Sequence, residues 1–331
     1  MDNRIYFIVF KEIQKIENFK INKYYKAELI ALINRLNTLA IIKQAGSGHI
    51  GTSFSAMDIF VWTKFFEFRT NKIDLKKKSR NIFFSSKGHD VPALYCVLYS
   101  LGIINFDKIK KLRKINGLDG HPDVAIPGIE ANTGSLGMGL SKAKGILWSK
   151  KYLKAKGKVV VLTGDGEFQE GQIFESLQTI SHQNLNDIIV IIDHNKIQSS
   201  QFVKKIIDLK NLKIKIKSFG WHVERCDGHN FKKLNKVFNN FSKIKNKPKL
   251  LIADTIKGKG VSFMEHPIVM KKKKIYSWHA GAPNDQDFIK AQNELIKKIK
   301  IKFKKISYNL PKIININNKK DLDFNSKIEI H

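Results

Sequence analysis

Five short apolar runs constrain this chain more than any other feature: Asn81 to Ser86 (NIFFSS), Lys158 to Thr163 (KVVVLT), Ile188 to Asp193 (IIVIID), Trp221 to Cys226 (WHVERC) and Lys249 to Asp254 (KLLIAD). Each has the length of a strand, and helical patterns separate them. Strands that are apolar on both faces and joined through helices build a parallel sheet, so the expected fold class is α/β with helices on both faces. Upstream, Leu29, Ile33, Leu36 and Leu39 recur at helical spacing and predict a helix over 24–44 that ends at Gly46-Ser47-Gly48. A second helix is expected to start at Ser55, whose hydroxyl can cap it, and to stop in the polar stretch around Lys76. A last helix reads from Asn284 to about Ile306. Residues 1–23 read as an irregular or helical lead-in and 24–285 as one α/β domain. Residues 286–331 read as the C-terminal helix and a Lys- and Asn-rich tail with too few periodic apolar residues to claim a fold.

In parallel sheets ligands gather beyond the carboxyl ends of the strands. Here those ends carry Lys87-Gly88-His89, Gly164-Asp165-Gly166-Glu167, His194-Asn195, Asp227-Gly228-His229 and Lys257-Gly258-Lys259-Gly260. Asp165 and Asn195 offer a carboxylate and an amide oxygen on neighbouring strand ends, hard donors suited to Mg²⁺ shared with phosphate oxygens. The glycines let backbone approach a phosphate, and a helix expected near Gln169 turns its positive end toward it. An Asp-Gly pair alone is equally the mark of a simple turn. Two such ends together point to a metal and a diphosphate.

The segment GDGEFQEG (Gly164 to Gly171), with Asn195 thirty positions after Asp165 and then Ile197, resembles the thiamin diphosphate signature. Around it stand His49 in GSGHIGTS, His89 in SSKGHDVPALY, His121 in LDGHPD, NTGSLGMGLS (Asn132 to Ser141), FGWHVERCDGHN, KGKGVSFME and Trp278-His279. Their order is similar to that of transketolases, above all the N-terminal subunit of transketolases split into two chains, over about residues 25–285. The resemblance implies the thiamin diphosphate-binding fold, Mg²⁺ and thiamin diphosphate as cofactors, and transfer of a two-carbon ketol unit between sugar phosphates. It further implies Mg²⁺ ligands at Asp165, Asn195 and the backbone carbonyl of Ile197. Cofactor contacts fall at His89, Gly134, Ser135, Leu136, Gly166, Asn195 and His279. His49, His121 and His279 line the route to the reacting carbon, and Glu170 is the acid at the interface between subunits. Imidazoles suit this chemistry because they exchange protons near neutral pH.

The chain departs from the family at Ile50, where proline usually follows the histidine, at Thr52, at Ala280, and in the Lys-rich stretch after Asn195. No second α/β pattern follows Lys257-Gly258-Lys259-Gly260, so the resemblance implies a separate pyrimidine-domain chain and a heterotetramer with two copies of each. The other readings are the α chain of a 2-oxo acid dehydrogenase, a deoxyxylulose phosphate synthase, or a degraded non-catalytic homologue acting as a basic binding protein. GDGEFQEG and Trp278-His279 favour transketolase.

Charge bears on the last alternative. The net charge of +31 would raise nucleic acid as a partner. Yet 54 of the 60 basic residues are Lys and only 6 are Arg, and base reading favours Arg. Lys, Ile and Asn together account for 126 residues, the bias of an AT-rich coding sequence, so a solvated surface and no specific nucleic acid are expected. No apolar run approaches the roughly 18 residues of a membrane-spanning helix. Ile5 to Phe10 is too short for a signal peptide, and Cys96 and Cys226 lack the spacing of a disulfide framework or metal knuckle. No membrane association and a cytoplasmic location are expected.

Overall fold

The computed structural model describes residues 4–317. Its strands in chain order are β1 (Tyr6–Ile8), β2 (Ile82–Ser85), β3 (Val159–Gly164), β4 (Ile188–His194), β5 (Ile197–Gln198), β6 (Gln201–Phe202), β7 (His222–Asp227), β8 (Lys249–Asp254) and β9 (Ile313–Asn315). The five apolar runs form one parallel sheet in the order β2-β3-β4-β8-β7. Side chains alternate across its plane. Val160 and Leu162 join Ile189 and Leu251 on one face, packed with helices Lys23–Ala45, Ile50–Val61 and Val91–Ser100. Val159 and Val161 join Ile188, Val190 and Ile252 on the other, under helices Met138–Tyr152 and Gly171–His182. Both faces are covered, as the uniformly apolar runs require.

Helix Lys23–Ala45 is buried on nearly every side through its middle, the mark of a helix inside the fold rather than on its surface. Asn22 caps it by accepting from the Tyr25 N–H at 2.9 Å, and Gly46 ends it in the left-handed region at φ +71. Arg35 on this helix forks onto Asp58 of the next, at 2.9 and 2.7 Å.

Two sequence expectations change. The second helix begins at Ile50, with His49 at its N-cap, and passes through a π-helical stretch, Trp62–Glu67, before ending nine residues short of Lys76. Ser55 is an interior residue: its hydroxyl bonds to the Thr52 carbonyl at 3.0 Å and to Asp193 Oδ2 at 2.6 Å. The helix start is set by a tertiary contact, the Gly51 N–H donating to the Trp278 carbonyl at 3.0 Å. The lead-in is also more ordered than its pattern suggests. Residues 10–17 are helical, and β1 pairs antiparallel with β9 from the opposite end of the chain. Asn37, buried in helix Lys23–Ala45, fixes β1 by exchanging two hydrogen bonds with the Ile8 backbone, at 2.9 and 2.8 Å. The tail from 318 onward lies outside the described residues. No helix among the described residues is long and apolar enough to cross a membrane.

Candidate active site

The carboxyl ends of β2, β3, β4 and β8 open on one cavity of about 290 Å³. Of the residues expected from sequence, His49, His89, His121, Gly134, Leu136, Asp165, Gly166, Asn195, Ile197 and His279 line it. Ser135 and Glu170 do not: both are exposed, Ser135 on the loop between Gly134 and Leu136, and Glu170 at the N-cap of helix Gly171–His182. The β7 end contributes nothing to the wall. His229 there accepts from the Ile256 N–H through Nε2 at 2.8 Å, which leaves Nδ1–H to donate to Asp58 at 2.6 Å, so it braces the loop after β8.

Asp165 is buried at the end of β3, where Oδ1 accepts from the Gly166 N–H at 2.8 Å and Oδ2 from the Lys196 N–H. Burial, with the negative charge of Asp193, pushes its carboxyl up to about 6. Such a site favours an added cation. Asn195 Nδ2 donates to Asp193 at 3.1 Å. Because a carboxylate only accepts, that bond fixes the amide and turns Oδ1 the other way, toward the Ile197 N–H at 3.1 Å. The Ile197 carbonyl already receives a cation, the Lys257 ammonium, at 3.1 Å. The set of one carboxylate, one amide and one carbonyl fits a small hard cation that keeps places for phosphate oxygens. Among the described residues, no cluster of His, Cys, Asp and Glu alone could hold a metal.

The cavity is shaped for an occupant. Gln198 Oε1 and His49 Nδ1 are buried on its wall without a hydrogen-bond partner, a state that costs free energy until something fills it. Glycine is required on two sides. A Cβ on Gly166 would meet the Gln198 side chain at 3.0 Å, and one on Gly134, at φ +147, would meet the His121 ring at 2.8 Å.

Four imidazoles converge here. The His49 ring centroid lies 5.2 Å from that of His89, 5.4 Å from that of His279 and 6.4 Å from that of His121. Burial pushes His49 down to about 4, helped by the charge of Arg113, and His279 to about 3, helped by Lys257. It also holds His89 well below the usual range and lowers His121. At neutral pH these rings are therefore uncharged and able to accept protons.

The shift has a consequence for stability. Unfolded imidazoles titrate near 6.5, so between that pH and about 4 the unfolded chain binds more protons, and stability falls as pH falls through the window. Asp90 and Asp165, pushed up to about 7 and about 6 by burial, act in the opposite sense. Urea midpoints at pH 7 and pH 5 should therefore drop less in a His49→Gln/His279→Gln variant than in the parent. Equal drops would mean that the rings are not held neutral by the fold.

Three residues that the sequence left unassigned organise the site. Glu167 is buried, with Oε1 accepting from the Ser86 hydroxyl and the Gly137 N–H (2.9 Å), and Oε2 from the Gly164 N–H at 3.0 Å. It ties together three loops that bound the cavity. Lys87 reaches Thr52 Oγ1 at 2.7 Å and Asp193 Oδ2 at 2.5 Å, with Asp90 Oδ2 at 3.3 Å. Lys257, besides its bond to Ile197, approaches the Ser199 carbonyl at 3.3 Å and His279 Nδ1 at 3.2 Å. Burial and the charge of Lys87 push Lys257 down to about 7. The Lys-rich stretch after Asn195 touches the cavity only through Ile197, Gln198 and Ser199, since Lys204 and Lys205 are exposed.

Comparison with known proteins agrees with this geometry. The family profile described as transketolase, thiamine diphosphate binding domain, matches residues 26–308. One of the two chains of the apulose-4-phosphate transketolase of Phocaeicola vulgatus is 35% identical over 273 residues, covering 82% of this chain and 94% of that one. The 6-deoxy-6-sulfo-D-fructose transketolase subunit SqwG of a Clostridium species is 33% identical over 250 residues, covering 74% and 90%. The crystal structure of transketolase from Campylobacter jejuni superposes with a TM-score of 0.73 at 24% identity, which speaks to the fold, covering 93% of this chain and 47% of that one. The match thus takes in less than half of that solved transketolase and nearly the whole of the two relatives named as subunits. The chain belongs to the transketolase family, as a subunit of the kind that carries the thiamine diphosphate-binding domain.

Proposed function

We propose that this chain is the cofactor-holding half of a two-chain transketolase that moves a two-carbon ketol unit from a ketose phosphate to an aldose phosphate. The observation that carries the reading is the meeting of Asp165, Asn195 and the Ile197 carbonyl with four neutral imidazoles in one cavity. In this reading the three oxygen donors hold Mg²⁺ and share it with a diphosphate. Gly166 and the loop from Gly134 through Ser135 to Leu136 give that diphosphate close backbone approach, and His89 and His279 flank it. Thiamin diphosphate, when bound, supplies the nucleophilic carbon and electron sink that let a carbon–carbon bond beside a carbonyl break and re-form.

The chain's own side chains do the rest. His49, His121 and His279 take and return protons at substrate hydroxyls, a role that needs uncharged rings with a free nitrogen, and His49 Nδ1 has no protein partner. Lys257, poised near neutrality, donates to anionic oxygen beside the metal. Glu167 and Lys87 are positioning residues. Glu170, exposed at the cavity's edge, is available to a second chain.

That second chain is a pyrimidine-domain subunit, in a heterotetramer with two copies of each. Relatives matched over nine-tenths of their own length are themselves named as transketolase subunits, which supports this. Those relatives are named for two different sugars, so we assign the substrates as sugar phosphates without choosing a sugar. Calorimetric titration of thiamin diphosphate into the reconstituted complex tests the cofactor assignment. One site per copy of this chain is expected, present with Mg²⁺ and abolished by EDTA. Metal-independent binding, or none, would defeat it.

A further inference from the structure

A second cavity, of about 360 Å³, lies at the opposite, amino-terminal edge of the sheet, where the chain enters β2 and β3. Its size is within the range of small-molecule sites. Lys64 forms part of its wall, from the π-helical stretch Trp62–Glu67, a geometry that recurs at functional sites. The Lys64 side chain is 2% exposed, and its ammonium sits 5.5 Å from the centroid of the Phe83 ring. Among the described residues, no carboxylate lies within 4 Å of it and no acceptor is in hydrogen-bond reach. A lone buried ammonium is costly, and such charges are ordinarily paired.

The remaining wall sharpens the imbalance. Arg80 is already forked onto Glu130, at 2.6 and 2.7 Å, and Lys77 is paired with Asp74 at 2.6 Å. Lys156, like Lys64, has no carboxylate within 4 Å among the described residues, so the cavity carries two positive charges in excess. Neutral donors face it as well. Ser79 Oγ accepts from the Lys156 N–H at 3.1 Å, which leaves its own hydrogen to donate, and Asn81 uses only its oxygen, toward the Lys158 N–H at 2.9 Å. The rim is built rather than loose. Lys150 donates to the carbonyls of Arg80 (2.8 Å), Lys156 (2.9 Å) and Lys78 (3.3 Å), clamping the two segments together. Gly157, at φ +111, permits their approach, since a Cβ there would lie 2.2 Å from the Arg80 carbonyl.

We propose that this cavity binds a small phosphate dianion, either inorganic phosphate or the phosphate group of a monoester, with Lys64 as its buried counter-ion. Two unpaired ammoniums match the charge of a dianion, and ionised acceptors make the strongest hydrogen bonds to such donors. Burial pushes Lys64 down to about 8, and a bound dianion reverses that cost. The site lies on the other edge of the sheet from the imidazole cavity and does not depend on the transketolase reading.

The test is calorimetric titration of the full chain at fixed ionic strength in chloride, with inorganic phosphate and separately with glycerol 3-phosphate. One saturable site is expected, at least about tenfold weaker in Lys64→Met and several-fold weaker in Lys156→Gln. Lys156 is exposed, so that variant decides the matter even if Lys64→Met folds poorly. Binding should survive in Asp165→Ala, which separates it from the cavity at the carboxyl edge. Preference for glycerol 3-phosphate identifies a monoester ligand, and preference for phosphate identifies the free ion. No saturable binding of either anion, affinity equal to the parent in either lysine variant, or loss of binding in Asp165→Ala would overturn the proposal.

Discussion

Asp165→Ala is expected to weaken Mg²⁺-dependent binding of thiamin diphosphate to the reconstituted complex by more than about 100-fold, because even partners that only orient a metal ligand are worth 10–100-fold. The fold should not suffer. A carboxyl pushed up to about 6 by burial is strained when ionised at pH 7. Its folded value lies above the unfolded one, so at neutral pH the ionised group opposes folding, and the penalty fades as pH falls below about 4. Asp165→Asn, which keeps an acceptor for the Gly166 or Lys196 N–H, should therefore unfold in urea at an equal or higher midpoint than the cofactor-free parent at pH 7. A lower midpoint would mean that Asp165 is held for stability and not for a cation. Asn195→Ala should lose cofactor in the same way, since it removes the second side-chain oxygen.

The largest effect on stability belongs to Lys87→Met. Lys87 and Asp193 are 2% and 0% exposed and sit 2.5 Å apart, with Asp90, also 0% exposed, at 3.3 Å. Burial alone would push Lys87 down, but Asp193 and Asp90 outweigh it and hold the ammonium above its usual range. Removing the lysine leaves two buried carboxylates facing each other without a cation, a loss of about 3–5 kcal/mol. Asp193 would keep its bonds from Ser55, Thr255 and Asn195, yet neutral donors do not replace a charge in a dry site. Chemical denaturation at pH 7 measures this directly. A loss under about 1 kcal/mol would mean that the pair is solvated and the cavity floor is open to water.

What the sequence made legible, and what it did not, follows from the range of the interactions. The five strands could be read because each is apolar on both faces, a local property. Asp165, Asn195 and the histidines could be read because the end of a parallel strand is where side chains meet a ligand. β1 and β9 could not be read, for three-residue strands show no periodicity and their partner lies some 300 positions away. Ser55 looked like a cap because serine before an apolar run usually is one. Its hydroxyl instead serves Asp193, which is 138 positions away. Lys64, Lys87 and Lys257 stayed hidden for a statistical reason: in a chain with 54 lysines, one more carries no signal until burial sets it apart. Glu167 sat inside the quoted GDGEFQEG run, but only the three loops it joins give it a role.

The most direct measurement is the rate of two-carbon transfer from xylulose 5-phosphate to ribose 5-phosphate, with Mg²⁺ and thiamin diphosphate, by this chain alone, by a pyrimidine-domain partner alone, and by the two mixed. The expected result is turnover in the mixture only, with activity saturating at one partner per chain. Full turnover by this chain alone would contradict the account of it as half of a shared site.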